Sequence, residues 1–382
     1  MTTREMKEKR RMHDSSLLSS AMILGRSMVR CVIGRPSPTM LILEPTLRCN
    51  SRCITCYNRK NLNQSGADLD VATCRRIAAD LPDLLLLEIS GGEPSLHKEL
   101  PDLIAEFVKA TPVKYISIPT NAIMPDAVEK MAREVCNVFK GFVGIGLSMD
   151  GIGETHDAIR GVNGNFDSLQ ETYRRLVVLK KTLPNLHISV NTCICSQNES
   201  SYRDILSWVA DNWPEIEGHS ISLVRAPGTD QARMDCAGFL KREGKYLKGQ
   251  ARLRDGYRLG LAGQLNKLFW GTYYSEALKY HRGQPRHWRC SAGSGSIYID
   301  AFGSVHTCEL RDPIGSLRNP GTSLSSILNS AAANRERLEI DTGKCSCDHS
   351  CFLQHSAFTR PGNIGFWWRG LMNSHDEGIQ YD

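Results

Sequence analysis

The chain has 382 residues, a formal net charge of +6, 41% apolar and 23% charged residues, and 14 cysteines. That balance excludes wholesale disorder and suits one large domain or two ordinary ones. No apolar run reaches the ~18 residues that span a bilayer, and a chain of this length is no small disulfide scaffold, so the cysteines point to metal binding in a reducing cytoplasm.

The charge is uneven. Residues 1–36 carry eight Lys/Arg against three Asp/Glu, residues 231–289 carry thirteen against four, and the rest is acidic. Two basic segments on an acidic body suggest an anionic partner. In the first segment Leu18, Met22, Met28, Val29 and Val32 recur at roughly helical spacing, with Arg26 and Arg30 among them. This is the pattern of a basic amphipathic helix, and residues 1–36 are a candidate for peripheral membrane contact.

From residue 39 the chain alternates β-rich and helical stretches. Strands are expected at 40–44, 85–90, 114–119, 142–149, 187–194 and 219–224, with helices near 71–80, 99–109, 126–139, 169–181 and 202–211. Six strand–helix units predict an α/β fold, a partial (β/α)6 barrel with a parallel sheet; the glycine fingerprint of a dinucleotide fold is missing. Period-two reading puts Val143, Ile145, Leu147 and Met149 under the helices, and Gly144, Gly146, Ser148 and Asp150 toward the lumen. Asn191, Cys193 and Cys195 fall on the lumen face of strand five. Either cysteine is then a candidate hydrogen-atom donor. Cys31, Cys74, Cys136 and Cys236 stand alone, as packing residues do.

Immediately after strand one come Cys49, Cys53 and Cys56, followed by Tyr57. Three thiolates on one loop suit three irons of a 4Fe–4S cluster and leave the fourth iron open for a bound small molecule. Beyond the barrel, residues 231–289 form a basic helical bridge in which Tyr257, Trp270, Tyr273, Tyr274 and Tyr280 interleave with the cations. No recognised nucleic-acid motif accompanies them, so an anionic substrate or acidic peptide is the expected partner rather than nucleic acid. Cys290, Cys308, Cys345, Cys347 and Cys351 follow, with a hairpin expected between the first two, turning at Phe302-Gly303. Four of these five suit a second 4Fe–4S cluster, with structural zinc as the competing reading. The tail Phe366-Trp367-Trp368 is expected to cap the core.

The triplet with Tyr57 resembles the radical S-adenosylmethionine (radical SAM) superfamily. Gly91-Gly92-Glu93-Pro94 resembles its GGEP motif, Pro119-Thr120-Asn121-Ala122 its T-N-G turn with alanine for glycine, and Ser148-Met149-Asp150-Gly151 its S-x-D-G. His156-Asp157-Ala158-Ile159-Arg160-Gly161, then Gly164 and Phe166, resembles a segment found in members with an extra cluster domain. The resemblance covers roughly residues 40–225. It implies that the free iron chelates the methionine moiety of S-adenosylmethionine, and that reductive cleavage releases a 5′-deoxyadenosyl radical. It also implies cosubstrate-binding roles for Tyr57, Gly91, Gly92, Glu93, Pro94, Asn121, Ser148, Asp150, Arg160 and Asn191. Residues 290–382 resemble the SPASM and twitch extensions, except that C-x-C replaces their usual C-x2-C; five cysteines are enough for one auxiliary cluster.

The domain plan is then 1–38 basic segment, 39–230 barrel, 231–289 bridge and 290–382 auxiliary-cluster domain with tail. The expected activity is hydrogen abstraction from a substrate, with peptide or protein modification first and an anionic small molecule or lipid at a membrane surface as the alternative. A flavodoxin or ferredoxin is the expected electron donor. A non-catalytic iron–sulfur or zinc protein would keep the cysteines but has no need of the GGEP, S-x-D-G and Arg160 set.

Overall fold

The computed structural model describes residues 22–30, 33, 35–225, 230–254, 260–285, 288–319, 321–360 and 362–363. Residues 1–21, Cys31, Val32, Tyr257 and the Phe366-Trp367-Trp368 tail lie outside this set.

The six expected strands form as β1 (Met40–Leu43), β2 (Leu86–Ile89), β3 (Tyr115–Thr120), β4 (Phe142–Ser148), β5 (Leu186–Ile194) and β6 (Gly218–Leu223). Each pairs in parallel with the next. Helix α1 covers 22–30. Between the strands lie α2 (Val71–Ala79), α3 (Leu100–Ala110), α4 (Pro125–Val138), α5 (Glu154–Arg160), α6 (Asn165–Lys180) and α7 (Tyr202–Asn212). The pleat sorts the side chains as expected. Leu41, Leu43, Leu87, Ile89, Ile116, Ile118, Val143, Ile145, Leu147, Ile188 and Val190 are buried in one core with α2, α3, α4 and α6. Their alternates Ile42, Glu88, Ser117, Gly144, Ser189, Asn191 and Ser220 line a cavity of about 470 Å³ inside the curved sheet.

Two features change the sequence-based picture. The hairpin forms as β7 (Ser296–Ile299) and β8 (Ser304–His306), and β7 pairs in parallel with β1. With β9 (Pro313–Ser316) the sheet reads β6-β5-β4-β3-β2-β1-β7-β8-β9, so the C-terminal region continues the barrel's own sheet. The bridge forms α8 (Cys236–Arg254) and α9 (Gly260–His281). Trp270, Tyr273 and Tyr274 are buried with Phe239, Phe269 and Trp288, and the hydroxyls of Tyr273 and Tyr274 donate to the carbonyls of Asp348 and Ile221 at 2.8 and 3.2 Å. They pack the bridge onto the barrel, with no faces free to stack on bases. Three short helices follow among the described residues: α10 (Leu324–Leu328), α11 (Ala331–Asp341) and α12 (Ser350–Thr359).

Arg26 and Arg30 of α1 turn toward the body. Both pair with Asp83, which is 1% exposed and also accepts the Ser37 hydroxyl. Met22, Val29 and Ile33 are exposed instead. Among the described residues no helix is long and apolar enough to cross a membrane. Asp83→Ala removes three charge-assisted or hydroxyl bonds, each worth about 0.5–3 kcal/mol. It should release α1, seen as faster limited proteolysis between residues 22 and 37; an unchanged cleavage rate would show that the Asp83 contacts do not hold the helix.

Candidate active site

The loop after β1 carries Cys49, Cys53 and Cys56 at the C-terminal ends of the parallel strands, where such sheets build their sites. A cavity of about 230 Å³ is lined by these three cysteines together with Tyr57, Gly91, Gly92, Glu93, Asn121, Ser148 and Arg160. Most of the residues singled out from sequence therefore meet in one place.

The loop is held by backbone contacts that constrain side-chain size. Gly92 N–H donates to Thr46 O and Glu93 N–H to Arg48 O, both at 2.8 Å. Gly91 has φ +99°, and a Cβ on Gly92 would lie 2.1 Å from Arg48 O. The two glycines thus let the β2 loop lie against the cysteine loop itself. From the other side, Arg52 N–H and Ile54 N–H donate to Arg160 O and Ile159 O at 3.1 and 2.9 Å, so α5 braces the loop. Helix α5 has only seven residues, too short for a periodic signal in the sequence.

Glu93 is 2% exposed. Its Oε1 accepts from Ser95 N–H, Ser95 Oγ and Thr120 Oγ1 at 3.2, 2.7 and 2.8 Å, and its Oε2 accepts from Asn121 N–H at 2.7 Å. A carboxylate offers about four lone-pair sites, two per oxygen, so Oε2 keeps room for an ammonium group. Pro94 opens the short helical turn that places Glu93. Asn121 Nδ2 donates to Asn50 Oδ1 at 2.8 Å. Ala122, where the superfamily turn has glycine, sits at φ +57°, a conformation glycine adopts without strain.

Arg160 Nη1 pairs with Asp150 Oδ2 at 3.1 Å. Burial opposes a charged guanidinium, yet facing Cys53 and Asp150 raise the Arg160 pKa overall. Its Nε is buried without a hydrogen-bond partner. This orphaned donor beside the thiols, with the spare lone pair on Glu93, fits a ligand bearing both a carboxylate and an ammonium group. Asp150 itself serves the scaffold: its Oδ1 accepts Cys193 N–H at 2.8 Å, and it does not line the cavity. Asn191 lines the larger, neighbouring cavity. Burial pushes the Cys56 thiol up to about 12 and raises Cys49 as well, so iron would displace protons on binding there.

Cys193 and Cys195 depart from their expected place. Cys195 lies beyond the end of β5, fully buried with Ile54, Ile159, Val224 and Ala232, and Cys193 packs against the same group. Neither thiol lines either cavity, and β5 ends at Ile194, one residue before Cys195.

At the other end of the lumen, Cys290 and Cys308 are buried with Met40, Ile42, Tyr298 and Phe352, and Cys345 and Cys351 pack against this group. Between the two cysteine regions lies a charged group that sequence reasoning missed. Arg225 Nη1 pairs with Glu309 Oε1 at 2.6 Å, His349 Nε2 lies 2.5 Å from the same oxygen, and the Arg225 guanidinium sits 5.2 Å from the Tyr57 ring centre. Glu44 and Glu88 are both pushed up to about 7, chiefly by burial. Glu88 was legible, being an acid at a lumen position of a strand. Arg225, Glu309 and His349 come together only through tertiary contact.

Comparison with known families matches residues 43–209 to the radical SAM superfamily. Residues 43–209 are a radical SAM domain. Its cofactors are accordingly a 4Fe–4S cluster and S-adenosylmethionine. The chain is 31% identical to the Fe-coproporphyrin III synthase of Methanosarcina barkeri over 34% of its length, spanning 31% of that protein. It is 24% identical to the PqqA peptide cyclase of Rhodopseudomonas palustris over 85% of its length and 86% of that enzyme. Among solved structures, Streptococcus suis SuiB bound to its precursor peptide SuiA aligns with a TM-score of 0.56 at 14% identity, covering 82% of this chain and 70% of SuiB. That likeness establishes the radical SAM fold.

His156 ties these motifs together. Asp150 N–H donates to its Nδ1 and its Nε2 faces Asn165 Oδ1, both at 3.2 Å. Burial lowers its pKa from 6.5 to about 4. The unfolded chain therefore takes up this proton first, and the stability it contributes is present above pH 6.5 and lost as pH falls toward 4. Between pH 7 and pH 5 this group should cost about 2 kcal/mol. Urea unfolding of His156→Gln should show a correspondingly smaller acid loss than wild type; equal losses would show that His156 does not titrate this way.

Proposed function

We propose that this enzyme modifies a peptide or protein substrate, one residue of which enters the lumen between the two cysteine regions. When bound, the first cluster and S-adenosylmethionine supply a 5′-deoxyadenosyl radical, which abstracts hydrogen from the substrate. Cys49, Cys53 and Cys56 hold that cluster, Glu93 receives the amino group of S-adenosylmethionine and Arg160 its carboxylate. Tyr57, Ser90 and Pro119 line both cavities, so the cosubstrate site opens onto the lumen. Four of the five C-terminal cysteines would hold one auxiliary cluster, which would supply an electron acceptor beside the lumen. A flavodoxin or ferredoxin reduces the first cluster.

The observation that carries the substrate class is the charge of the lumen. Among the described residues that line it, Arg225 is the one arginine or lysine, and Glu309 already neutralises it. Glu88 and Glu217 line the same wall. Such a lumen offers a polycarboxylate or phosphate ligand no unpaired arginine or lysine and accepts neutral amide and hydroxyl groups. The exposed cations Lys241, Arg242 and Lys245 on α8 stand outside it, placed to meet an acidic stretch of a peptide or protein. The match to PqqA peptide cyclase over most of both chains supports this class. A membrane-surface role is a second reading, favoured by the exposed Met22, Val29 and Ile33 beside the inward-turned arginines.

The test is 5′-deoxyadenosine formation by cluster-loaded enzyme under reducing, anaerobic conditions. Peptides encoded beside the gene should stimulate it by at least about tenfold and emerge with altered mass. Carboxylate-rich tetrapyrroles and phosphorylated small molecules should not. Stimulation by such an anion, and not by peptide, would reverse the assignment.

A further inference from the structure

Five cysteines compete for one auxiliary cluster, and the structure separates one of them. Cys290 and Cys308 are buried in the apolar pocket formed by Met40, Ile42, Tyr298 and Phe352, and Cys345 packs against it. Cys347 follows Cys345 by two residues on the same segment and does not line the lumen. Cys351 packs against that pocket as Cys345 does, but of the five cysteines it alone lines the barrel lumen, with Glu88, Arg225, Glu309 and His349. Its thiol is hydrogen-bonded to Glu88, across the join between β2 and α12.

A second observation marks this wall as a ligand site. His349 is 1% exposed and lines the same cavity, and its Nδ1 has no hydrogen-bond partner. A buried polar atom left unpaired costs about 1–3 kcal/mol, which a ligand bearing a hydrogen-bonding group would recover. The pair Glu88–Cys351 and the open His349 thus present neutral donors and acceptors to whatever occupies the lumen.

We propose that Cys351 is a substrate-contacting thiol, and that the auxiliary cluster is held by Cys290, Cys308, Cys345 and Cys347. The substrate half of this assignment rests on the peptide-modifying reading above; the ligand half does not. On this assignment the C-x-C pair, unusual for such extensions, supplies two ligands from one extended segment, and the third cysteine of C-x-C-x3-C is turned by the start of α12 toward the lumen.

Iron and sulfide analysis of the anaerobically loaded full chain tests the ligand half. Two 4Fe–4S clusters amount to about eight irons per chain. Cys351→Ala should keep about eight and an unchanged electron paramagnetic resonance spectrum. Cys290→Ala, Cys308→Ala, Cys345→Ala and Cys347→Ala should each fall to about four. Loss of the auxiliary iron in Cys351→Ala, or its retention in Cys345→Ala or Cys347→Ala, overturns the assignment. Glu88→Gln keeps the thiol and breaks the pair, which guards against a misfolded cysteine variant. Both Cys351→Ala and Glu88→Gln should raise KM for a stimulating peptide at least about tenfold with iron content intact. Unchanged KM in both, with iron intact, removes the substrate role, whereas a failure of peptide to stimulate wild type defeats the functional reading instead.

Discussion

Strand β1 is hydrogen-bonded on both sides, to β2 through Met40↔Leu86 and its neighbours and to β7 through Met40↔Ser296 and its neighbours. The rest of the molecule depends on that double pairing. The cysteine loop leaves the C-terminal end of β1, and β7 lies between Cys290 and Cys308. One four-residue strand therefore ties both cysteine regions to a common sheet, the first beyond its C-terminal end and the second packed against Met40 and Ile42. A parallel sheet extended in this way has no hinge between barrel and C-terminal region, since the join is a continuous hydrogen-bonded ladder.

Around that strand, the buried carboxylates are paired. Glu93 takes four hydrogen bonds, Asp150 joins Arg160 to Cys193, and Glu309 joins Arg225 to His349. Each pairing ties two loops at the strand ends, so the cavity wall is ordered before any ligand arrives. Arg160 Nε and His349 Nδ1 are among the buried polar atoms left without a hydrogen-bond partner, and each residue lines one of the two cavities.

Much of this was legible from the sequence. Alternation in β4 and β5 located both the sheet and its lumen face, because one face is apolar but for Thr192 and the other small or polar but for Phe142. The cosubstrate cavity was legible because its residues are clustered in short motifs at the strand ends. What escaped was non-local. Nothing in Ser296–Ile299 says that it pairs with a strand some 250 residues earlier. The inward packing of Trp270, Tyr273 and Tyr274 escaped for a related reason: composition alone does not say which face of a basic helix its aromatics occupy. Cys195 was assigned to the lumen by carrying the alternation one residue past the end of its strand.

The account makes the lumen the place where hydrogen is abstracted from a peptide. Isotope transfer tests this most directly. A stimulating peptide prepared with fully deuterated side chains and α-carbons, incubated with loaded enzyme and S-adenosylmethionine, should yield 5′-deoxyadenosine carrying a deuteron, and substitution of Cys49, Cys53 or Cys56 should abolish the product. Abundant 5′-deoxyadenosine without deuterium, alongside modified peptide, would contradict it.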